Sequence, residues 1–171
     1  MDKKRGHNFF RKLFPLSGAK ELVKRLTVLG MTVSAAESCT AGLAAALIAR
    51  IPGASGALWG SFVSYTPEAK VMMLGVGRDI LDQYGAVSRE TACAMAEGAM
   101  RKSGCCCAFS VTGIAGPGGD GSHPAGTVWI ATARQGERTE AALYHFRGTR
   151  NRVRRKAAKK ALEKILERIT I

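Results

Sequence analysis

The chain has 171 residues, 46% of them hydrophobic, with 20 glycines and a formal charge of +13. It is long enough to bury its own core as one domain, and no run of about 18 apolar residues occurs, so a disordered, disulfide-stapled or membrane-spanning chain is excluded. The basic surplus sits at the ends: residues 1–25 hold eight Lys/Arg and two acids, residues 147–168 ten and two, and residues 26–146 eight against nine. Such a distribution reads as solvated helix faces and tails; without aromatics interleaved at base-stacking spacing, no nucleic-acid partner is expected.

Residues 1–17 combine Lys3, Lys4, Arg5, Arg11 and Lys12 with Phe9, Phe10, Leu13 and Phe14, ending at Pro15. The apolar stretch is too short and interrupted for a secretory signal. It reads as a flexible basic extension, with a helix lying on a membrane surface as the alternative. Residues 18–171 then form the domain. A helix is predicted from Ser17 or Gly18 to Leu29, with Leu22, Val23, Leu26 and Leu29 at helical spacing and Gly30 ending it.

The apolar approach through Met31 and Val33 runs into Ser34-Ala35-Ala36-Glu37-Ser38-Cys39-Thr40-Ala41-Gly42, a strand-to-helix turn. Free N–H groups at a helix start attract negative charge, so Ser38 and Thr40 stand where an anion or oxyanion is held, while the plain alternative is that Thr40 caps the helix. That helix carries Leu43, Leu47 and Ile48 and breaks at Ile51-Pro52-Gly53. A strand over Leu58 to Tyr65 leads to Thr66-Pro67-Glu68-Ala69-Lys70, in which Thr66 caps, Pro67 suits the first position and Glu68 complements the positive helix end. Lys70 sits in a first turn, where its pKa is lowered in the direction a lysine base requires.

A short element near Asp79 to Tyr84 precedes a helix opened by Ser88 and Thr91 and closed by Gly104. Cys105 to Thr112 reads as a central strand covered on both faces. Gly113 to Gly126 is a long loop rich in glycine; such loops are usually functional, and glycines permit close approach of backbone to a ligand. Strands over Thr127 to Ala133 and Ala141 to Phe146 flank the turn Arg134-Gln135-Gly136-Glu137. The last helix begins at Thr149, packs Val153, Ala157, Ala161, Leu162, Ile165, Leu166 and Ile169, and crowds Arg150, Arg152, Arg154 and Arg155 into its first turns. Cations are disfavoured there, which points to a bound anion such as a phosphate. The five cysteines, Cys39, Cys93, Cys105, Cys106 and Cys107, are odd in number and form no CxxC pair; they read as reduced thiols of a cytoplasmic protein.

The alternation of elements implies an α/β fold: a three-layer α/β/α domain whose mostly parallel sheet contains one antiparallel strand. Ligands bind beyond the carboxyl ends of such strands, and three ends qualify: the Ser38 turn, the Tyr65-Thr66 turn and the Thr112 loop.

Together the segments Ala36-Glu37-Ser38-Cys39-Thr40-Ala41-Gly42, Phe62-Val63-Ser64-Tyr65-Thr66-Pro67-Glu68-Ala69-Lys70, Gly85-Ala86-Val87-Ser88, Val111-Thr112-Gly113-Ile114-Ala115-Gly116-Pro117 and Gly126-Thr127-Val128-Trp129 resemble the C-terminal domain of the competence/damage-inducible protein CinA, the nicotinamide-nucleotide amidohydrolase family. The resemblance covers about residues 18–168. It implies a five-stranded mixed sheet, commonly a homodimer, and metal-free, cofactor-free hydrolysis of the carboxamide of nicotinamide mononucleotide to nicotinate mononucleotide and ammonia, a step of pyridine-nucleotide salvage. By the same resemblance Ser38 is the nucleophile, Lys70 the base and Tyr65 a supporting hydroxyl. Substrate binding falls on Glu37, Thr40, Gly42, Thr112, Gly113, Gly116 and Arg150.

Three positions depart from the family pattern. Ala41 stands for a glycine, Gly60 or Ser61 for an arginine, and His123 for a lysine. The molybdopterin-binding-like domain of longer members has no counterpart in these residues. On residue types alone, Cys39 with His123 as its base competes with Ser38 and Lys70. An inactive module binding a nucleotide or phosphate would keep the loop and Arg150 without needing both Ser38 and Lys70.

Overall fold

The computed structural model describes residues 17–170; the basic extension read from the sequence lies, but for Ser17, outside them. The elements run α1 (Ser17–Leu29), β1 (Val33–Glu37), α2 (Leu43–Ala49), β2 (Leu58–Val63), α3 (Pro67–Ala69), a π-helical turn (Lys70–Leu74), α4 (Arg78–Tyr84), α5 (Arg89–Ser103), β3 (Cys107–Gly113), β4 (Thr127–Arg134), β5 (Glu140–His145) and α6 (Arg150–Thr170). The strands form one sheet in the order β2-β1-β3-β4-β5. The β1 strand pairs in parallel with β2 and β3, and β4 runs antiparallel to both β3 and β5. Four strands therefore share a direction and β4 is reversed. The fold is the three-layer α/β architecture expected from the sequence.

Side chains alternate across the sheet, so each strand feeds two cores. Val33 and Ala35 of β1, Phe109 and Val111 of β3 and Val128 and Ile130 of β4 pack with α1, α2 and α6. Ala36 and Ala108 face α5 and the Lys70–Leu74 turn, and Ala131 and Ala133 meet Ala92 and Ala96 of α5. Small residues on that side let α5 lie close to the sheet. At Gly98 any Cβ would stand 2.2 Å from the Leu74 carbonyl oxygen, so only glycine admits this approach. The long α6 buries Val153, Ala157, Ala161, Leu162, Ile165 and Ile169, each buried Leu or Ile contributing about 2 kcal/mol. Arg168 ties its far end to Glu137 and Glu140 of the β4–β5 hairpin.

Register decides where the site lies. Glu37, the last residue of β1, pairs with Val63 of β2 and Val111 of β3. The β1 and β2 strands thus end level, β3 runs two residues further to Gly113, and Ser38, Ser64 and Thr112, the residues that follow this register, stand side by side on one rim.

Candidate active site

Ser38 follows β1 directly and its N–H donates to Val111 O at 2.9 Å, which pins the residue to β3. The Lys70 side chain comes from the π-helical turn and is 1% exposed. Its Nζ lies 3.1 Å from Ser38 Oγ and 2.9 Å from Ser64 O. Ser64 is itself held by its N–H to Glu37 O at 2.9 Å. Burial pushes the Lys70 ammonium down from its ordinary value to about 8, with Cys39 acting weakly in the opposite direction. Burial is therefore the largest cause of the lowered lysine.

The pair opens into a cavity of about 380 Å³ whose wall includes Ser38, Tyr65, Lys70, Thr112, Gly113, Gly116 and Arg150. Seven of the ten residues singled out from the sequence meet here. The Tyr65 hydroxyl accepts from Arg150 Nη2 at 2.7 Å, and Arg150 Nη1 donates to Gly116 O at 2.7 Å, so Arg150 joins the glycine loop to the tyrosine. Thr112 Oγ1 donates to Ala86 O at 2.7 Å. Gly113 has no room for a side chain, because a Cβ would stand 2.3 Å from Thr127 O.

Glu37, Thr40 and Gly42 do not line the cavity, and their roles differ from the expected ones. Strand alternation turns Glu37 to the face covered by α2, where its carboxylate accepts the N–H groups of Ala44 at 3.0 Å and Ala45 at 2.9 Å, and the Ser61 hydroxyl at 3.1 Å. The helix start expected to hold a bound anion is thus occupied by the protein's own carboxylate. Thr40 is fully buried, its hydroxyl has no hydrogen-bond partner among the described residues, and it does not cap α2. Gly42 takes that N-cap position at φ 84°, preceded by Ala41 at φ 48°. Thr66 and Ser88 do cap, accepting from Ala69 N at 3.2 Å and Thr91 N at 3.1 Å.

The arginines at the start of α6 also have an internal cause. Arg154 Nε donates to Cys39 O at 3.1 Å and its Nη2 to Thr40 O at 2.9 Å. Carbonyl oxygens of the Ser38 turn thus match the Arg154 cation, while Arg150 stands on the cavity wall. The sequence marks Arg154 only as one of four arginines at the helix start, since a contact to a backbone carbonyl leaves no residue-type signal at the acceptor. The Ser64 carbonyl is hidden for the same reason.

The competing thiol is poorly placed. Burial raises Cys39 to about 11, so it stays protonated at neutral pH, and His123 is absent from the cavity wall, its Nδ1 facing Asp120 Oδ2 at 3.4 Å. The five cysteines are free. Among the described residues no helix is long and apolar enough to cross a membrane, and no three His, Cys, Asp or Glu side chains gather as metal ligands.

Relatives share both sequence and fold. A CinA-like protein of Geobacter metallireducens is 50% identical over 126 residues, 73% of this chain and 30% of its own length. The chain spans about a third of the length of the curated relatives it matches. The crystal structure of the competence/damage inducible protein CihA from Agrobacterium tumefaciens superposes with a TM-score of 0.86 at 40% identity, covering 89% of this chain and 93% of that one. The competence damage-inducible protein A of Klebsiella pneumoniae gives 0.87 at 32% identity, with 90% and 96% covered. The CinA C-terminal domain matches residues 16–169, and the chain belongs to that family.

Proposed function

We propose that the protein hydrolyses the carboxamide of nicotinamide mononucleotide to nicotinate mononucleotide and ammonia through a Ser38 acyl-enzyme. The observation that carries this reading is the buried amine 3.1 Å from a serine hydroxyl at the mouth of the cavity. A lysine near 8 is neutral in about a tenth of the molecules at pH 7, enough to act as a base. Ser64 O accepts one of its N–H bonds, and in the neutral amine the lone pair is free to face the Ser38 hydroxyl at 3.1 Å.

Ser38 Oγ attacks the amide carbon as its proton passes to Lys70 Nζ. Lys70 returns that proton to the departing nitrogen, and ammonia leaves. A water then attacks the ester carbon, losing a proton to Lys70, and the carbonyl bond to Oγ breaks with return of the proton to Ser38. The negative oxygen formed in each half needs donors beside Ser38; the N–H of the residue after a nucleophile commonly serves, and here that residue is Cys39. Arg150 and the Gly116 loop, on the same wall, suit the sugar phosphate. The same reading carries a cytosolic homodimer working in pyridine-nucleotide salvage.

Ammonia release from the mononucleotide by the purified protein tests the proposal. Ser38→Ala abolishes turnover with the fold intact, whereas Cys39→Ala keeps most of it. An active Ser38→Ala beside a dead Cys39→Ala removes the Ser/Lys assignment.

A further inference from the structure

The turn that presents Ser38 is unusual in how its polar groups are used. Its Ser38 N–H goes to Val111 O, Ala41 N–H to Ser38 O and Leu43 N–H to Thr40 O. The next two N–H groups, of Ala44 and Ala45, are taken by Glu37. The positive end of α2, which elsewhere would face a developing oxyanion, is therefore already matched by a buried carboxylate. Among the described residues the N–H groups of Cys39, Thr40 and Gly42 have no backbone acceptor, and of these three residues Cys39 alone stands on the cavity wall, its N–H meeting its own weakly accepting sulfur.

A donor of this kind works only if its peptide is held still. The turn contains Ala41 in the left-handed region at φ 48°, a conformation that persists when surrounding contacts enforce it. The Cys39 N–H shares its peptide with Ser38 O, which Ala41 N–H holds at 3.0 Å. Arg154 fixes the two peptides that follow from α6, with Nε on Cys39 O at 3.1 Å and Nη2 on Thr40 O at 2.9 Å. Its guanidinium is a permanent cation held against a turn that starts beside the Glu37 carboxylate. The Cys39 thiol feels both charges, pushed up by Glu37 and down by Arg154.

We infer that Arg154 is a positioning residue for the oxyanion: by gripping the Cys39 and Thr40 carbonyls it aims the Cys39 N–H at the oxygen that becomes negative on Ser38 attack. This inference rests on the amidase reading and adds to it the element that replaces the helix dipole. Arg154 touches no reacting atom. Its loss leaves the Ser38–Lys70 pair and the Arg150 contacts in place, so it acts on kcat and not on KM or on the pH midpoint.

The experiment compares nicotinamide mononucleotide with its thioamide analogue, in which sulfur replaces the carbonyl oxygen and accepts hydrogen bonds poorly. In Arg154→Ala, kcat on the oxygen substrate falls about 100-fold, the size of a lost oxyanion donor. KM stays within a factor of about two, the midpoint remains near 8, and the oxygen-to-sulfur rate ratio shrinks by about tenfold or more relative to the parent. Arg154→Lys, which restores the charge and one carbonyl contact, recovers part of both kcat and the ratio, and supplies the same readout should the alanine variant fold poorly. Equal loss on the two substrates overturns the inference while leaving the amidase reading intact. A parent protein that releases no ammonia from the mononucleotide overturns that reading, and this inference with it.

Discussion

Replacing Lys70 with methionine separates the two consequences of burying an amine. The folded protein holds this lysine near 8, against 10.5 for the free side chain, so the unfolded chain binds more protons between those values. Stability attributable to Lys70 therefore rises with pH across that window, and at pH 7 the protein carries the whole cost of burying the charge. Between pH 7 and pH 10 the parent gains roughly 2 kcal/mol that Lys70→Met does not, because methionine does not titrate. Other ionisable groups are common to both proteins and cancel in the difference. Urea unfolding of both at the two pH values reads this number, and ammonia release shows the parent rising about tenfold in all from pH 7 to pH 10 and the variant silent. A stability difference that stays constant between pH 7 and pH 10 would refute the buried-amine argument, even if Lys70→Met were inactive.

Arg150→Ala raises KM for the mononucleotide much more than it lowers kcat, because a phosphate contact remote from the amide is made equally in ground and transition states. Nicotinamide riboside, lacking the phosphate, is a poor substrate for the parent and is little affected, and steady-state kinetics on both compounds checks this. Ala41→Gly relieves a left-handed alanine that costs about 1–2 kcal/mol, offset in part by the greater freedom of glycine in the unfolded chain, for a net gain of about 0.5–1 kcal/mol. A thermal melt shows it as a rise of about 1–4 °C, and a lower midpoint contradicts it.

The elements with a strong local signal were legible in the sequence. The helical spacing of Leu22, Val23 and Leu26, the Ser88 cap, and the polar turn after Arg134 each depend on residues close in the chain, and the structure follows them. The three strand ends were legible as well, since the carboxyl edge of a parallel sheet collects ligands whatever the sequence. What was not legible depends on pairs far apart. Thr40 has the residue type of a cap, yet Glu37, seven and eight residues before its partners, takes the α2 N–H groups because strand alternation turns it towards them. The arginines of α6 advertise an anion, yet Arg154 meets carbonyls 114 and 115 positions away. The lowered pKa of Lys70 comes mainly from burial, and the depth of that burial is set by a tertiary fold that no local pattern encodes.

That burial works only because of what lies near the amine. A histidine base is commonly oriented by a carboxylate, but a carboxylate beside Lys70 would hold its proton and raise the pKa. The orienting acceptor here is instead the neutral Ser64 carbonyl, fixed in place by the Ser64 N–H to Glu37 O, which continues the pairing of β1 with β2. The nearest acid in sequence to the nucleophile is Glu37, adjacent to Ser38. Alternation along β1 sends its side chain to the opposite face, where α2 and Ser61 occupy both oxygens, and no carboxylate is among the causes of the shift at Lys70. The register that aligns the strand ends thus does two things at once: it delivers a carbonyl to orient the lysine, and it keeps the carboxylate from neutralising the lysine's use as a base.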